Sequence, residues 1–484
     1  MSTFLGSLSL LPLAILLILS LLRGVRTGIY AGLAVTIMLF FVWDSTLIAF
    51  PAALIAALID TVSILMIVFG ALFLHQSMEQ IGFIDQIRGD LGSVHEDAGF
   101  QFYFLAFFLT AFFESVAGFG TPGAIVPLLL ISMGFDPIRS IVVVLLIDGL
   151  FAISGAIGTP VTAGLEAPLG LSTNEVRLIY VYASGFMLIA GCAVVVFIQR
   201  LLMSVNIKSN RTSWVLFFGL AIPFTGLSFW LQELTGLVAA TLLGILAYFF
   251  LFSNRKMAGT PWLPYAVLVV MLLLPKFFPG LALFLSWDLA FTYILNSAVS
   301  ASLQPLESPL IPFLVAAFFA AVLGGNFSVS LKPVLRKTMA VFLILFPSLA
   351  ITRLMLASGT EMPSMVETMS ALFAKAGSAY PALSPLIGAT GTFITGSTTV
   401  SNVIFGPVQF EAAQNLKLPH EVILAMQLFG ASLGNAVCLF NIIAACAVAG
   451  VEQYAVILQK NLWPVIGATV VTSLCGMLLL WWIG

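Results

Sequence analysis

Apolar runs follow one another along almost the whole chain, parted only by short polar punctuation; Leu5–Leu22, Gly28–Trp43, Leu47–Leu74, Trp214–Trp230 and Leu234–Phe252 are examples. A bilayer-spanning helix needs about 20 apolar residues, so this pattern fixes the solvent before anything else. Hydrophobic residues make up 61% of the 484 and charged residues 8%, with a mean hydropathy of +1.14, against roughly 25% charged in a soluble domain. The expectation is an all-α polytopic membrane protein with about 12 spans. It forms one integral domain over residues 1–484, leaving no soluble domain. Leu5–Leu22 has no basic n-region or small-residue cleavage site and is followed by Arg23 and Arg26, so it reads as a retained first span.

Other classes fall away on charge and spacing. The net charge is -2 and the basic residues are thinly spread, so no basic stripe can track a phosphate backbone and no nucleic-acid partner is expected. Cys192, Cys438, Cys446 and Cys475 stand in apolar runs without CxxC or metal-ligand spacing, which suits buried packing. His75, His95 and His420 are scattered at segment edges, and no metal site or cofactor is expected. Arg200, Lys208 and Arg211 form one basic loop and Arg255 and Lys256 another. Two apolar runs lie between these loops, so both face one side, which the charge bias makes cytoplasmic. Gln76–Ala98, with Glu79, Asp85, Arg88, Asp90, Glu96 and Asp97 among Ile81, Phe83, Ile84 and Ile87, reads as a connecting or interfacial segment.

Four stretches interrupt the apolar pattern with helix-breaking residues. Phe112–Pro122 reads FFESVAGFGTP and Ser154–Pro160 reads SGAIGTP; in the second half Gly391–Asn402 reads GTFITGSTTVSN and Gly430–Asn441 reads GASLGNAVCLFN. Broken backbone at membrane depth persists only where protein buries it or where it lines a cavity. Gly118 and Gly158 are 40 residues apart, Ser397 and Gly434 are 37 apart, and a proline-containing polar turn lies between the members of each pair. Paired interrupted helices in corresponding positions point to a transporter site between inverted repeats with re-entrant hairpins. The broken regions are placed at 100–165 and 385–450, with mainly scaffold spans over 166–380.

Glu114 is the sharpest chemical candidate, because a charge at the bilayer centre costs about 2.5 to 3.5 kcal/mol on insertion scales. It must be paired, hydrated or protonated. Asp148, inside the run Ile141–Ile153, is the second candidate for handling a proton. Asp60 and Asp288 read as span-end residues, and Arg353 as a side chain that snorkels to the interface. Backbone amides near Gly118, Gly120 and Thr121, with Ser397, Thr399 and Asn402, are the expected substrate contacts. Thr395, Ser401, Asn435 and Asn441 are possible additions; the same hydroxyls could instead cap their own broken backbone. A helix terminus offers a charge about 0.3 to 1 kcal/mol, up to about 2 when partly buried. Desolvating a carboxylate costs several kcal/mol, so an anion needs a co-bound proton or sodium ion.

At FFESVAGFGTP, the following GFDP (Gly134–Pro137), GAIGTP (Gly155–Pro160) and FITGSTTVSN (Phe393–Asn402), the chain resembles the bacterial lactate permease family. The resemblance runs in order over most of the chain. It implies uptake of L-lactate or glycolate with protons, in the bacterial cytoplasmic (inner) membrane, by a carrier of the ion-transporter superfamily. The family's acid falls on Glu114, its glycines on Gly118 and Gly120, and its TGS and SN elements on Thr395, Gly396, Ser397, Ser401 and Asn402. The chain departs from the family at Thr398, where members often have Asp or Asn, and at Asp148, where some have Asn; it is also shorter than typical members.

The expected function is therefore a symporter importing a small monocarboxylate with protons, with a sodium-coupled carboxylate carrier as the rival. A channel would not accumulate solute. An intramembrane enzyme lacks any HExxH, CxxC or GxSxG pattern. The partners are the monocarboxylate and the lipid bilayer, with monomer and homodimer both open.

Overall fold

The computed structural model describes residues 2–91, 97–116, 118, 120–203, 210–251, 259–306, 308–360 and 362–483. His95, Glu96, Ala117, Phe119, Lys208, Phe252, Arg255 and Lys256 lie outside the described residues, so the pairing of the two basic loops is not visible. The protein is an all-α polytopic membrane protein. Among the described residues, seven helical stretches are long and apolar enough to cross a membrane, and five shorter apolar helices accompany them. One small antiparallel sheet pairs Leu289–Phe291 with Ala301–Leu303, with Leu289 opposite Leu303.

Ala98–Val116, Pro137–Phe151 and His420–Gly434 are enclosed by protein rather than lipid, the last from Val422 onward. In Ala98–Val116 almost every residue is buried, and Pro137–Phe151 is buried from Ser140 onward. A helix apolar on all sides belongs in an interior. Aromatic rings fill the space around the first: Phe104 stacks on Phe108 at 5.3 Å, and Phe112 meets Tyr265 edge-on at 5.2 Å. Pro137–Phe151 starts with Asp136 as N-cap, its carboxylate accepting from the Arg139 N–H at 2.8 Å, and proline at the first helical position.

The same order of elements occurs twice. Ala98–Val116 and Thr121–Ser132 form a helical hairpin, Pro137–Phe151 crosses the interior, and the chain then breaks between Ala152 and Gly158. Later, Tyr380–Thr395 and Thr398–Asn415 form a second hairpin, His420–Gly434 crosses, and a break at Asn435–Cys438 precedes Leu439–Ala449. The second reversal is tight enough for the Ser401 hydroxyl to donate to the Gly388 carbonyl at 2.9 Å. The two crossing helices pack on each other, with the Ser432 hydroxyl donating to the Gly149 carbonyl at 2.8 Å. Thr173–Met203 lies against both His420–Gly434 and Tyr454–Ile483, and the His420 Nε2 and Glu175 Oε1 atoms meet at 2.7 Å near the starts of their helices.

A second hydrophobic core joins Val25–Val42, Ala49–Ile81 and Leu331–Leu356. The arm Thr398–Asn415 stands between the cores, giving Val400, Val403, Ile404, Phe405 and Val408 to the second. Here Arg353 differs from its sequence reading. Its guanidinium makes a bidentate pair with Asp60, Nε to Oδ2 at 2.7 Å and Nη2 to Oδ1 at 3.0 Å, and Nη1 donates to the Ser300 carbonyl at 3.3 Å. Arg353 is thus held by an ion pair rather than extended alone, and Asp60 is not a bland residue, because packing of Ala49–Ile81 on Leu331–Leu356 sets the two charges opposite each other.

Candidate functional site

Both hairpin tips and both breaks border one cleft of about 330 Å³, part of it open. Its lining includes Glu114, Gly118 and Gly120 from the first tip, Gly155, Ala156, Thr159 and Pro160 from the first break, Gly396 to Thr399 from the second tip, and Asn435 and Asn441 from the second break. Glu114 is the sole ionisable side chain in that lining among the described residues.

Backbone chemistry explains the tips. The N–H of Gly118 closes the first helix onto the carbonyls of Phe113 and Glu114 at 3.3 and 3.0 Å, and Gly118 and Gly120 take φ of 55° and 77°. These left-handed conformations favour glycine. Gly396 ends the other tip's first arm at φ 78°, and Ser397 then caps Thr398–Asn415, its hydroxyl accepting from the Val400 N–H at 3.3 Å. The starts of two helices, Thr121–Ser132 and Thr398–Asn415, therefore adjoin the cleft with the positive ends of their dipoles.

The breaks are built differently. In the first, Ala156, Ile157 and Gly158 occupy positive φ of 45°, 52° and 75° in succession. A β-branched residue in that region is a genuine outlier, so the surrounding fold must hold it there. At the second break Asn441 Nδ2 donates to the Asn435 carbonyl at 3.3 Å, a side chain replacing a missing backbone partner.

Glu114 is 4% exposed and Asp148 1%. Their carboxyl groups are in hydrogen-bonding contact, Glu114 at the cleft wall and Asp148 behind it. Glu114 Oε2 and Asp148 Oδ1 are buried without a protein donor. Ionised carboxylates only accept, so a hydrogen bond between the two forms only when one of them carries a proton. Gly155 makes room for the arrangement, since a Cβ there would overlap the Glu114 carboxyl.

The remaining candidates separate into those at the cleft and those behind it. Gly118, Gly120, Ser397, Thr399, Asn435 and Asn441 reach it. The Thr399 hydroxyl lies 3.3 Å from that of Thr159, a cleft residue on the first break that sequence reasoning missed although it sits within the quoted SGAIGTP. Thr121, Thr395, Ser401 and Asn402 are not in the lining. Thr395 donates to the Gly391 carbonyl at 2.8 Å, and Asn402 Nδ2 to the Pro160 carbonyl at 2.8 Å. Gln409 and Gln427 were also missed; each is an amide in an otherwise apolar run, which was the available signal. Among the described residues no group of three or more His, Cys, Asp or Glu is placed to hold a metal ion.

Comparison with known proteins covers nearly the whole chain. The sequence profile of the family described as L-lactate permease matches residues 6–260 and 260–483. A putative L-lactate permease of Haemophilus influenzae is 25% identical, over 98% of this chain and 98% of its own length. An L-lactate permease of Streptococcus iniae is 28% identical over 76% of this chain and 81% of its own. The glycolate permease GlcA of Escherichia coli is 24% identical over 79% and 78%. These relatives are named as permeases, transporters rather than enzymes.

Proposed function

The chain belongs to the L-lactate permease family, and from that premise we propose that this transporter imports L-lactate or glycolate across the bacterial cytoplasmic membrane together with a proton. The observation that carries the coupling is the buried contact between Glu114 and Asp148 at the wall of a cleft whose other lining groups are uncharged. The relatives' names support the substrate class.

Electrostatics favour a proton as the companion. The cleft offers a carboxylate the starts of two helices, neutral hydroxyls and the Asn441 amide, and no lysine or arginine among its described lining residues. Two helix ends supply up to about 2 kcal/mol each, short of offsetting the several kcal/mol of desolvation. With the pair's proton on Glu114, the carboxyl that lines the cleft is neutral and the pair's remaining charge sits behind it on Asp148. The substrate and proton then move together without net charge, so the membrane potential of about 2.3 kcal/mol per charge per 100 mV does no work on them.

The twice-occurring order of hairpin, crossing helix and break is read as an inverted repeat. The body carrying both breaks moves against the scaffold around Ala49–Ile81 and Leu331–Leu356, exposing the cleft alternately to each side. Purified protein in liposomes is expected to accumulate labelled L-lactate or glycolate when an inward proton gradient is imposed. Accumulation that requires sodium, tested by replacing it with choline at fixed pH, would replace the proton in this reading; uptake without accumulation would make the protein a channel.

A further inference from the structure

Four buried side chains behind the cleft form a single hydrogen-bonded line. The Tyr380 hydroxyl donates to Gln409 Oε1 at 2.6 Å, and Gln409 Nε2 donates to Gln427 Oε1 at 2.8 Å. Gln427 Nε2 then donates to Asn402 Oδ1 at 3.3 Å, and Asn402 Nδ2 to the Pro160 carbonyl at 2.8 Å. Tyr380 is 1% exposed and the three amides 0%. None of the four side chains is in the cleft lining, but Pro160 is.

Chemistry fixes the direction of this line without reference to which amide atom is drawn as nitrogen. A carbonyl only accepts, so Pro160 obliges Asn402 to present its NH₂ group. The Asn402 oxygen then faces Gln427, which must donate, and the same requirement passes through Gln409 to Tyr380. A side contact agrees, since Gln409 Nε2 also donates to the Ser384 carbonyl at 3.1 Å. In a dry interior aligned dipoles reinforce one another, and one amide cannot turn without orphaning its neighbours.

The line joins two parts of the molecule. Tyr380, Asn402, Gln409 and Gln427 all lie on helices of the second broken region, whereas Pro160 follows the left-handed turn Ala156–Gly158 of the first. A wide i→i+5 turn over Thr162–Glu166 comes directly after, so the segment around Pro160 has regular helix bonding disturbed on both sides. Close approach is built in, since a Cβ on Gly164 would stand 2.9 Å from that of Asn402. Apolar side chains would fill the same volume with no polar group to satisfy. What the amides add is one permitted arrangement.

We propose that Gln427, with Gln409 and Tyr380 behind it, is a positioning residue for substrate binding: through Asn402 the line holds the first break against the second hairpin in the geometry that closes the cleft. The proposal rests on the transport reading above for its substrate. The test uses the full chain in lipid, measuring backbone hydrogen exchange and L-lactate uptake side by side. Gln427→Leu should speed exchange locally over residues 155–166 and raise KM about 10-fold, the worth of a lost buried hydrogen bond, with little change in the maximum rate. Gln409→Glu keeps the size and, at a pH where the new carboxyl is ionised, offers Gln427 only acceptors, so the reversal reaches Asn402 and sets its oxygen against the Pro160 carbonyl. Its KM should rise further than that of Gln409→Leu, which deletes one link. Tyr380→Phe, the mildest change, should raise KM about 2-fold and decides the matter if Gln427→Leu does not fold. Unchanged exchange and KM in Gln427→Leu, or faster exchange throughout the protein, overturn the proposal. So does Gln409→Leu matching Gln409→Glu at a pH where the new carboxyl is ionised. A wild-type protein that takes up no L-lactate, with the exchange effect still confined to residues 155–166, overturns the substrate reading and leaves the positioning role standing.

Discussion

The second broken region carries many more hydroxyl and amide groups than the first, yet most of them bond to protein. Thr395, Thr398, Ser401 and Asn402 give their protons to the carbonyls of Gly391, Ala431, Gly388 and Pro160. In the first region, Glu114 and Asp148 each keep a carboxyl oxygen without a protein donor. Density of polar residues and availability for a ligand are therefore different properties. In a membrane interior, a dense polar tract tends to satisfy itself because unpaired groups there cost several kcal/mol. Charge outside both regions makes the same point from the other side, since buried Asp60 and partly buried Arg353 are engaged with each other.

The contrast between engaged and available charge breaks most visibly where a partner is removed. Arg353→Met leaves Asp60 uncompensated and should cost about 3 to 5 kcal/mol of stability, most of it returned by the double change with Asp60→Asn. Thermal unfolding in detergent measures both; equal loss in the single and double variants would show that the pair is not coupled. Glu114→Gln should leave the fold intact and lower proton-driven accumulation about 100-fold, as removal of a positioned proton-transfer group does. Wild-type uptake should rise as external pH falls, and the variant's pH profile should be flat. A Glu114→Gln protein that still follows the proton gradient fully would take Glu114 out of the coupling role.

Smaller effects sharpen the comparison. Gly155→Ala pushes a methyl into the Glu114 carboxyl and should cost about 1 to 3 kcal/mol, the usual range for overpacking, together with transport. Ser401→Ala and Ser397→Ala should each cost about 1 kcal/mol, one for a hydrogen bond and one for a helix cap. Their KM values should part: Ser397 borders the cleft and Ser401 does not. Parallel KM changes in a side-by-side uptake assay would mean that the second region's hydroxyls act as one set.

Much of this architecture was legible one-dimensionally. Apolar runs identified the class, and FFESVAGFGTP, SGAIGTP, GTFITGSTTVSN and GASLGNAVCLFN located both tips and both breaks. The local signals succeed because glycine, proline and capping serine act on their own backbone within a few residues. Arg353 misled because its nearest sequence neighbours suggest a span end, while its partner Asp60 is 293 residues away. Asn402 looked like a ligand contact by composition, and only the packed structure shows its amide engaged by Pro160, 242 residues earlier.

The sequence by itself determined the solvent of this protein, the places where its helices stop, and the presence of an acid beside one of those stops. These follow from transfer energies and from backbone preferences that each residue carries with it. Tertiary structure alone decided that Glu114 would face Asp148, that the tips and breaks of distant regions would border one cleft, and which polar groups would remain available there. Pairing across hundreds of residues is set by how whole helices pack, and no short window of sequence contains that information.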